Sequence, residues 1–118
     1  MTTLATGLKH VETEGELKDL VSKEENVMVC CGRMGPMCVP VYGAMEDLQD
    51  SGKYDHVAFR DMSFDTREAD YIRNLPECAG FMGLPFTVYF RNGKVAAATS
   101  SIQNKKQITA ILDEHLAP

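Results

Sequence analysis

The chain has 118 residues, 12 basic and 17 acidic side chains, a net charge of −5 and four cysteines. That length suits one unit with its own core, so a single domain over residues 1–118 is expected. The acidic balance excludes a nucleic-acid partner, which needs a basic face, and no apolar run approaches the roughly 20 residues that span a bilayer.

At 44% hydrophobic and 25% charged, the composition is that of an ordinary soluble protein. Met1 to Leu8 lacks the basic and apolar parts of a secretory leader, which makes the cytoplasm the expected address. In that compartment the four cysteines read as thiols for redox, metal or packing roles rather than as a disulfide scaffold.

Leu8 to Val11 reads as a short strand. Thr13 with Glu16 has the spacing of a capping box, opening a helix that carries Leu17, Leu20 and Val21. Val27 to Cys31 is a continuous apolar run, the pattern of a strand covered on both faces. Gly32 and Gly35-Pro36 break it. Apolar spacing from Pro36 or Met37 to Leu48 predicts a helix, with Pro36 in the first turn where its missing N–H is no loss. Pro40, so soon afterwards, predicts distortion of that turn.

Val57 to Asp61 reads as a further strand, and Asp65 to Leu75 as a helix ended by Pro76. Phe86 to Phe90 is rich in β-branched and aromatic residues. Asn92-Gly93 then turns the chain into a hairpin with Val95 to Ser100. Asn104, with Gln107 three residues on, caps a last helix carrying Ile108, Ile111 and Leu112. The order β-α-β-α-β-α-β-β-α predicts an α/β domain, a central mixed sheet with helices on both faces.

Three segments in this order carry a resemblance. Arg33-Met34-Gly35-Pro36-Met37-Cys38 is similar to the W-C-G-P-C-K of thioredoxins. Gly83-Leu84-Pro85-Phe86-Thr87 is similar to their G-[IV]-P-T, and Phe90-Arg91-Asn92-Gly93-Lys94-Val95 to their F-x-N-G-x-V hairpin. The chain resembles the thioredoxin family over nearly its whole length, from about Leu8 to Leu116.

The resemblance implies a thioredoxin fold with a cis peptide before Pro85, whose loop docks an extended partner chain by a short β-augmentation. It also implies a departure. Met34 and Met37 stand where the family has its attacking and resolving cysteines, and a thioether forms no thiolate. Met28 stands at the family's buried aspartate, Asp61 at the lysine often paired with it, Ser101 at a late glycine and Arg33 at the active-site tryptophan. A buried aspartate with no thiol to serve costs several kcal/mol of desolvation, so its loss is consistent with the loss of the dithiol.

Chemistry then falls to other thiols. Cys38 follows the vacated resolving position at the start of the expected helix, where amides, the helix dipole and Arg33 favour a thiolate. Cys31 is its expected resolving partner across a C-x6-C spacing. Strand alternation puts Cys30 and Cys31 on opposite faces, so only one of them readily meets Cys38. Cys30 reads as core, and Cys78 as a loop thiol.

The expected function is atypical thiol–disulfide or sulfur chemistry in cell redox homeostasis, with Cys38 and Cys31 catalytic. Arg33, Met34, Gly35, Pro36, Met37, Leu84 and Pro85 are the expected partner-binding residues, with Phe81 and Met82 on the rim. A protein or peptide partner, no membrane, no cofactor, no resident metal, and a monomer or weak dimer complete the expectation. Two readings stay open beside it: a non-catalytic peptide-binding module, and a soft-metal or persulfide carrier in which Met34, Met37 and Cys38 offer the soft sulfur that suits Cu(I). Met37 and Met45 also fit a helix's apolar face as plain packing. His10, His56 and His115, far apart in sequence, read as surface residues.

Overall fold

A computed structural model describes residues 4–80 and 83–118. Phe81 and Met82, expected on the rim of the site, lie outside the described residues. The strands are β1 (Lys9–Val11), β2 (Asn26–Gly32), β3 (Ala58–Ser63), β4 (Phe86–Arg91) and β5 (Lys94–Ser100). The helices are α1 (Glu14–Lys23), α2 (Val39–Asp50), α3 (Asp70–Arg73) and α4 (Lys105–His115).

The five strands form one sheet in the order β1-β3-β2-β4-β5. β3 is parallel to both β1 and β2, while β4 runs antiparallel to β2 and β5. β2 is buried along its whole length, as its unbroken apolar run predicts. Both capping boxes form: Thr13 with Glu16 on α1, and Asn104 with Gln107 on α4. Asn92 and Gly93 turn the β4–β5 hairpin with φ of 53° and 82°, the left-handed region that a two-residue turn of this kind requires.

Two core layers sandwich the sheet. One lies under α2 and α4 and includes Met28, Cys30, Cys38, Tyr42, Met45, Tyr89, Ile108 and Leu112. The other lies under α1 and α3 and includes Leu17, Val21, Val29, Cys31, Met62, Ile72, Cys78 and Phe86.

The structure differs from the sequence expectation at two helices. α2 begins at Val39, not at Pro36 or Met37, and Cys38 is its N-cap. The reason is Pro40, which has no N–H to give and therefore fits only the first turn. Residues before it form a separate turn, in which the amides of Cys38 and Val39 both donate to Gly35 O. Met37 is thus off the apolar face of α2, while Met45 is fully buried on it. The helix expected over Asp65–Leu75 is broken into a 3-10 turn at Arg67–Ala69, the single turn of α3, and a 3-10 turn at Pro76–Cys78. Thr66 caps the first of these through its side chain, and Pro76 cannot continue α3.

Candidate functional site

Strand directions bring four chain segments to one end of the sheet: Gly32 at the end of β2, Ser63 at the end of β3, Pro85 before β4 and Ser101 after β5. Gly32 is the focus. A methyl group on its α-carbon would fall 2.9 Å from Cys38 Sγ, 2.9 Å from Tyr42 Oη and 3.0 Å from Pro85 Cβ. Only a glycine lets the thiol, the phenol and the proline close over the strand end at that distance.

The 33–38 turn is tied down onto this point. Arg33 N–H donates to Cys38 Sγ at 3.4 Å, and Tyr42 O–H donates to Arg33 O at 3.1 Å. The Arg33 side chain reaches out to Asp65 as a fork, with both bonds at 2.7 Å. These bonds to the guanidinium hold the Asp65 carboxyl below its ordinary range. The pair is exposed, so its energetic weight is small.

On the other side, the Leu84–Pro85 peptide is cis. Ser101 N–H bridges to Gly83 O at 2.9 Å and to Pro85 O at 3.0 Å, and Ser101 has φ of 69°. That backbone conformation suits a glycine and costs a serine strain. The bridge fixes the proline loop against the end of β5.

Of the expected site residues, Cys38 and Pro85 are brought together over Gly32. Arg33, Gly35, Pro36 and Cys38 belong to the turn that closes on Gly32. Met34 and Met37 stand out from that turn at 47% and 43% exposure, and Leu84 is partly buried against the α2/α4 layer.

The cysteines sort differently from the expectation. Cys38 is only 2% exposed and lies in the α2/α4 layer with Cys30. Cys31, the expected resolving partner, lies in the opposite layer with Cys78. Strand alternation is the physical reason: Cys30 and Gly32 share one face of β2, and Cys38 Sγ sits over Gly32 on that face. All four thiols are free and buried. Burial raises the Cys31 pKa to about 12 and that of Cys30 well above its ordinary value. Cys78 is raised for the same reason.

His10 is not a plain surface residue. Its Nδ1 lies 2.6 Å from Asp61 Oδ1, with side-chain exposures of 26% for the histidine and 1% for the aspartate. Thr6 Oγ1 donates to the other carboxylate oxygen of Asp61. Burial raises the Asp61 pKa, and the bonds from Thr6 and His10 pull it back. Spacing in the sequence hid this pair, because 51 residues separate its members. The findable signal was the strand assignment itself: β1 beside β3 puts His10 opposite Asp61.

His56 Nε2 lies 2.9 Å from Leu116 O, and His115 pairs with Glu114. Among the described residues, no group of three or more histidine, cysteine, aspartate or glutamate side chains is placed to hold a metal. The sulfurs of the soft-metal reading are divided, since Met34 and Met37 are exposed and Cys38 is buried. No helix among the described residues is long and apolar enough to cross a membrane.

The fold and the strand-end site define a class, the thioredoxin-fold α/β proteins. Among solved structures, the chain is similar to a thioredoxin from Malassezia sympodialis, with a TM-score of 0.73 and 15% identity over 98% of this chain and 96% of that one. It is similar to Plasmodium falciparum thioredoxin, at 0.71 and 18% over 92% and 99% of the two chains. A mutant thioredoxin from Halobacterium salinarum matches at 0.73 and 17% over 98% and 96%. No protein-family model matches the sequence, and no curated protein matches it. At these identities the likeness is one of fold: the chain folds as a thioredoxin.

Proposed function

We propose that the protein performs thiol–disulfide exchange on a docked polypeptide through Cys38 rather than through a C-x-x-C dithiol. The observation that carries this reading is the convergence at Gly32, where Cys38 Sγ and Pro85 close over the same strand end. A partner strand laid against the Leu84–Pro85 loop brings its sulfur to the one thiol held there. Met34 and Met37 supply an adaptable apolar surface for that chain. The Arg33 N–H aimed at Sγ stabilises negative charge on this sulfur as bonds to it form and break. Its burial means that the thiol reacts when the 33–37 turn yields to a docked chain. The protein's place would be an intracellular, reducing one, where such thiols stay free.

A second reading rests on a separate observation. Every thiol is buried while the two thioethers are exposed, which is the surface of a docking module without chemistry. One experiment separates the two. The native protein is treated with a peptide carrying an aromatic disulfide, and the adduct is mapped by mass spectrometry. Exchange chemistry gives an adduct that is lost in Cys38→Ser and kept in Cys78→Ser. A docking module gives no adduct, yet the peptide shifts the amide resonances of Met34, Met37 and Leu84. Neither adduct nor shifts would overturn both.

A further inference from the structure

The register of the sheet lines up chemistry that the site residues alone do not show. His10 is opposite Asp61, Asp61 is opposite Cys30, and Cys30 is opposite Thr87. Four strands thus carry His10, Asp61, Cys30 and Thr87 side by side in one polar row on the α2/α4 face. Next along β2 on that same face is Gly32, with Cys38 Sγ seated on it. The row therefore runs from the partly exposed imidazole of His10, through a buried carboxylate, to a buried thiol in the same layer as Cys38.

A carboxylate in an apolar layer costs several kcal/mol unless it is bonded, and a buried thiol beside it is no counter-ion. The pair of Thr6 and His10 on Asp61 keeps that cost tolerable. The groups facing Asp61 and Cys30 are Thr6 from the segment before β1, His10 on β1, Glu46 and Tyr42 on α2, Cys38 at its N-cap, Thr87 and Tyr89 on β4, and Cys31 beside Cys30. No lysine or arginine is among them. The His10 ring, partly exposed, is bonded to the buried Asp61 carboxylate at 2.6 Å.

We infer that Cys30, not Cys31, is the resolving thiol for Cys38, and that the Asp61–His10 pair takes and returns its proton. The inference rests on the exchange chemistry proposed above. In the first step the Cys38 thiolate attacks a partner disulfide, one partner sulfur bonds to Cys38, and the other leaves as a thiol with the proton Cys38 gave up. In the second, the Cys30 thiol passes its proton to the Asp61 carboxylate and its sulfur attacks Cys38 Sγ. The Cys38–partner bond breaks, and the partner thiolate is protonated from Asp61 by way of His10 and water. The partner disulfide is reduced to two thiols while Cys30 and Cys38 become a disulfide, two electrons having moved. An external dithiol reductant resets the pair by the same exchange.

Burial acts usefully on both members. It raises the Asp61 carboxyl above its ordinary range, which makes the carboxylate a stronger base than an exposed one. It also keeps Cys30 protonated and inert until Cys38 carries a partner.

The test uses an aromatic disulfide reagent with a coloured leaving thiol, added to the native protein. Wild type is expected to release two equivalents in two phases, the first from attack by Cys38 and the second from closure of Cys30 onto it. Cys30→Ser and Cys30→Ala should release one and retain the mass of the adduct, while Cys31→Ser should behave as wild type. Asp61→Asn should slow only the second phase, by about tenfold or more, and flatten its pH profile. Should Asp61→Asn fail to fold by circular dichroism, His10→Gln gives the same readout from a partly exposed position. Two equivalents from Cys30→Ser, or one from Cys31→Ser, overturn the inference and leave the proposed exchange intact. An unchanged second phase and pH profile in a folded Asp61→Asn or His10→Gln removes the proton role. Absence of the first phase from wild type overturns the exchange itself.

Discussion

The two layers on either side of the sheet solve the same packing problem with different material. Under α1 and α3 the buried set is almost wholly apolar, with Cys31 and Cys78 as small hydrophobes within it. Under α2 and α4 the same sheet buries Asp61, Cys30, Cys38, Tyr42 and Tyr89 together. Their polar atoms find specific partners: Thr6 and His10 for Asp61, Arg33 O for Tyr42 and Arg33 N for Cys38. Tyr89 Oη has no partner among the described residues. Polar groups are kept in a dry layer at a cost, and that cost is concentrated on the side that faces Gly32 and Pro85. One layer is plain packing, and the other is where the proposed chemistry lies.

That contrast can be broken from either side. Met62→Ala hollows the α1/α3 layer and should cost about 2–5 kcal/mol in denaturant unfolding while leaving the thiol exchange rate of the native protein unchanged. Gly32→Ala should cost less, about 1–3 kcal/mol, because it overpacks rather than empties. Its added methyl meets Cys38, Tyr42 and Pro85, so the exchange rate should change with it. Equal effects on rate from both variants would erase the distinction between the layers.

The carboxylates sharpen it through pH. Asp61 has its pKa raised in the fold, so its contribution to stability is greatest below the ordinary carboxylate range and is lost as pH rises through its raised value. Asp65 is lowered by Arg33, so its contribution is present above the ordinary range and fades as pH falls through its lowered value. Acidification from neutral pH should therefore favour wild type over Asp61→Asn first. At lower pH the advantage of wild type over Asp65→Asn should shrink. Urea titrations of the three proteins across pH read both signs.

Two smaller effects follow. Ser101→Gly relieves the left-handed backbone at φ 69° and should stabilise by up to about 1 kcal/mol, with the Gly83 and Pro85 carbonyls still bonded by its N–H. Tyr89→Phe deletes an unpartnered buried hydroxyl and should be neutral or stabilising by a few tenths of a kcal/mol to about 1. A marked loss of stability in Tyr89→Phe would reveal a partner for that hydroxyl and weaken the picture of uncompensated cost.

Much of this was legible in the sequence. Local signals gave the strands, both capping boxes and the Asn92-Gly93 hairpin, because each depends on neighbours within a few residues. The thioredoxin resemblance, carried by motif order, implied a site between the 33–38 segment and the Pro85 loop, and Cys38 and Pro85 do meet at Gly32. What failed were features set by competition or by distance. Two prolines compete to open α2, and Pro40 wins because its position in the first turn is compatible with the bonds that Gly35 O accepts. Alternation along β2 showed that Cys30 and Cys31 face apart, yet which face receives Cys38 depends on the layer that α2 covers, and that is a tertiary fact. His10 and Asp61 meet only because β1 joins the sheet beside β3.

The most direct measurement is peptide mapping of the native protein after one equivalent of a disulfide-bearing peptide, with the adduct located by fragmentation. Modification of Cys38 is the expected result, followed on standing by a Cys30–Cys38 bond. An adduct confined to Cys78 or Cys31, or none until denaturant is added, would contradict the assignment of chemistry to the layer beneath α2.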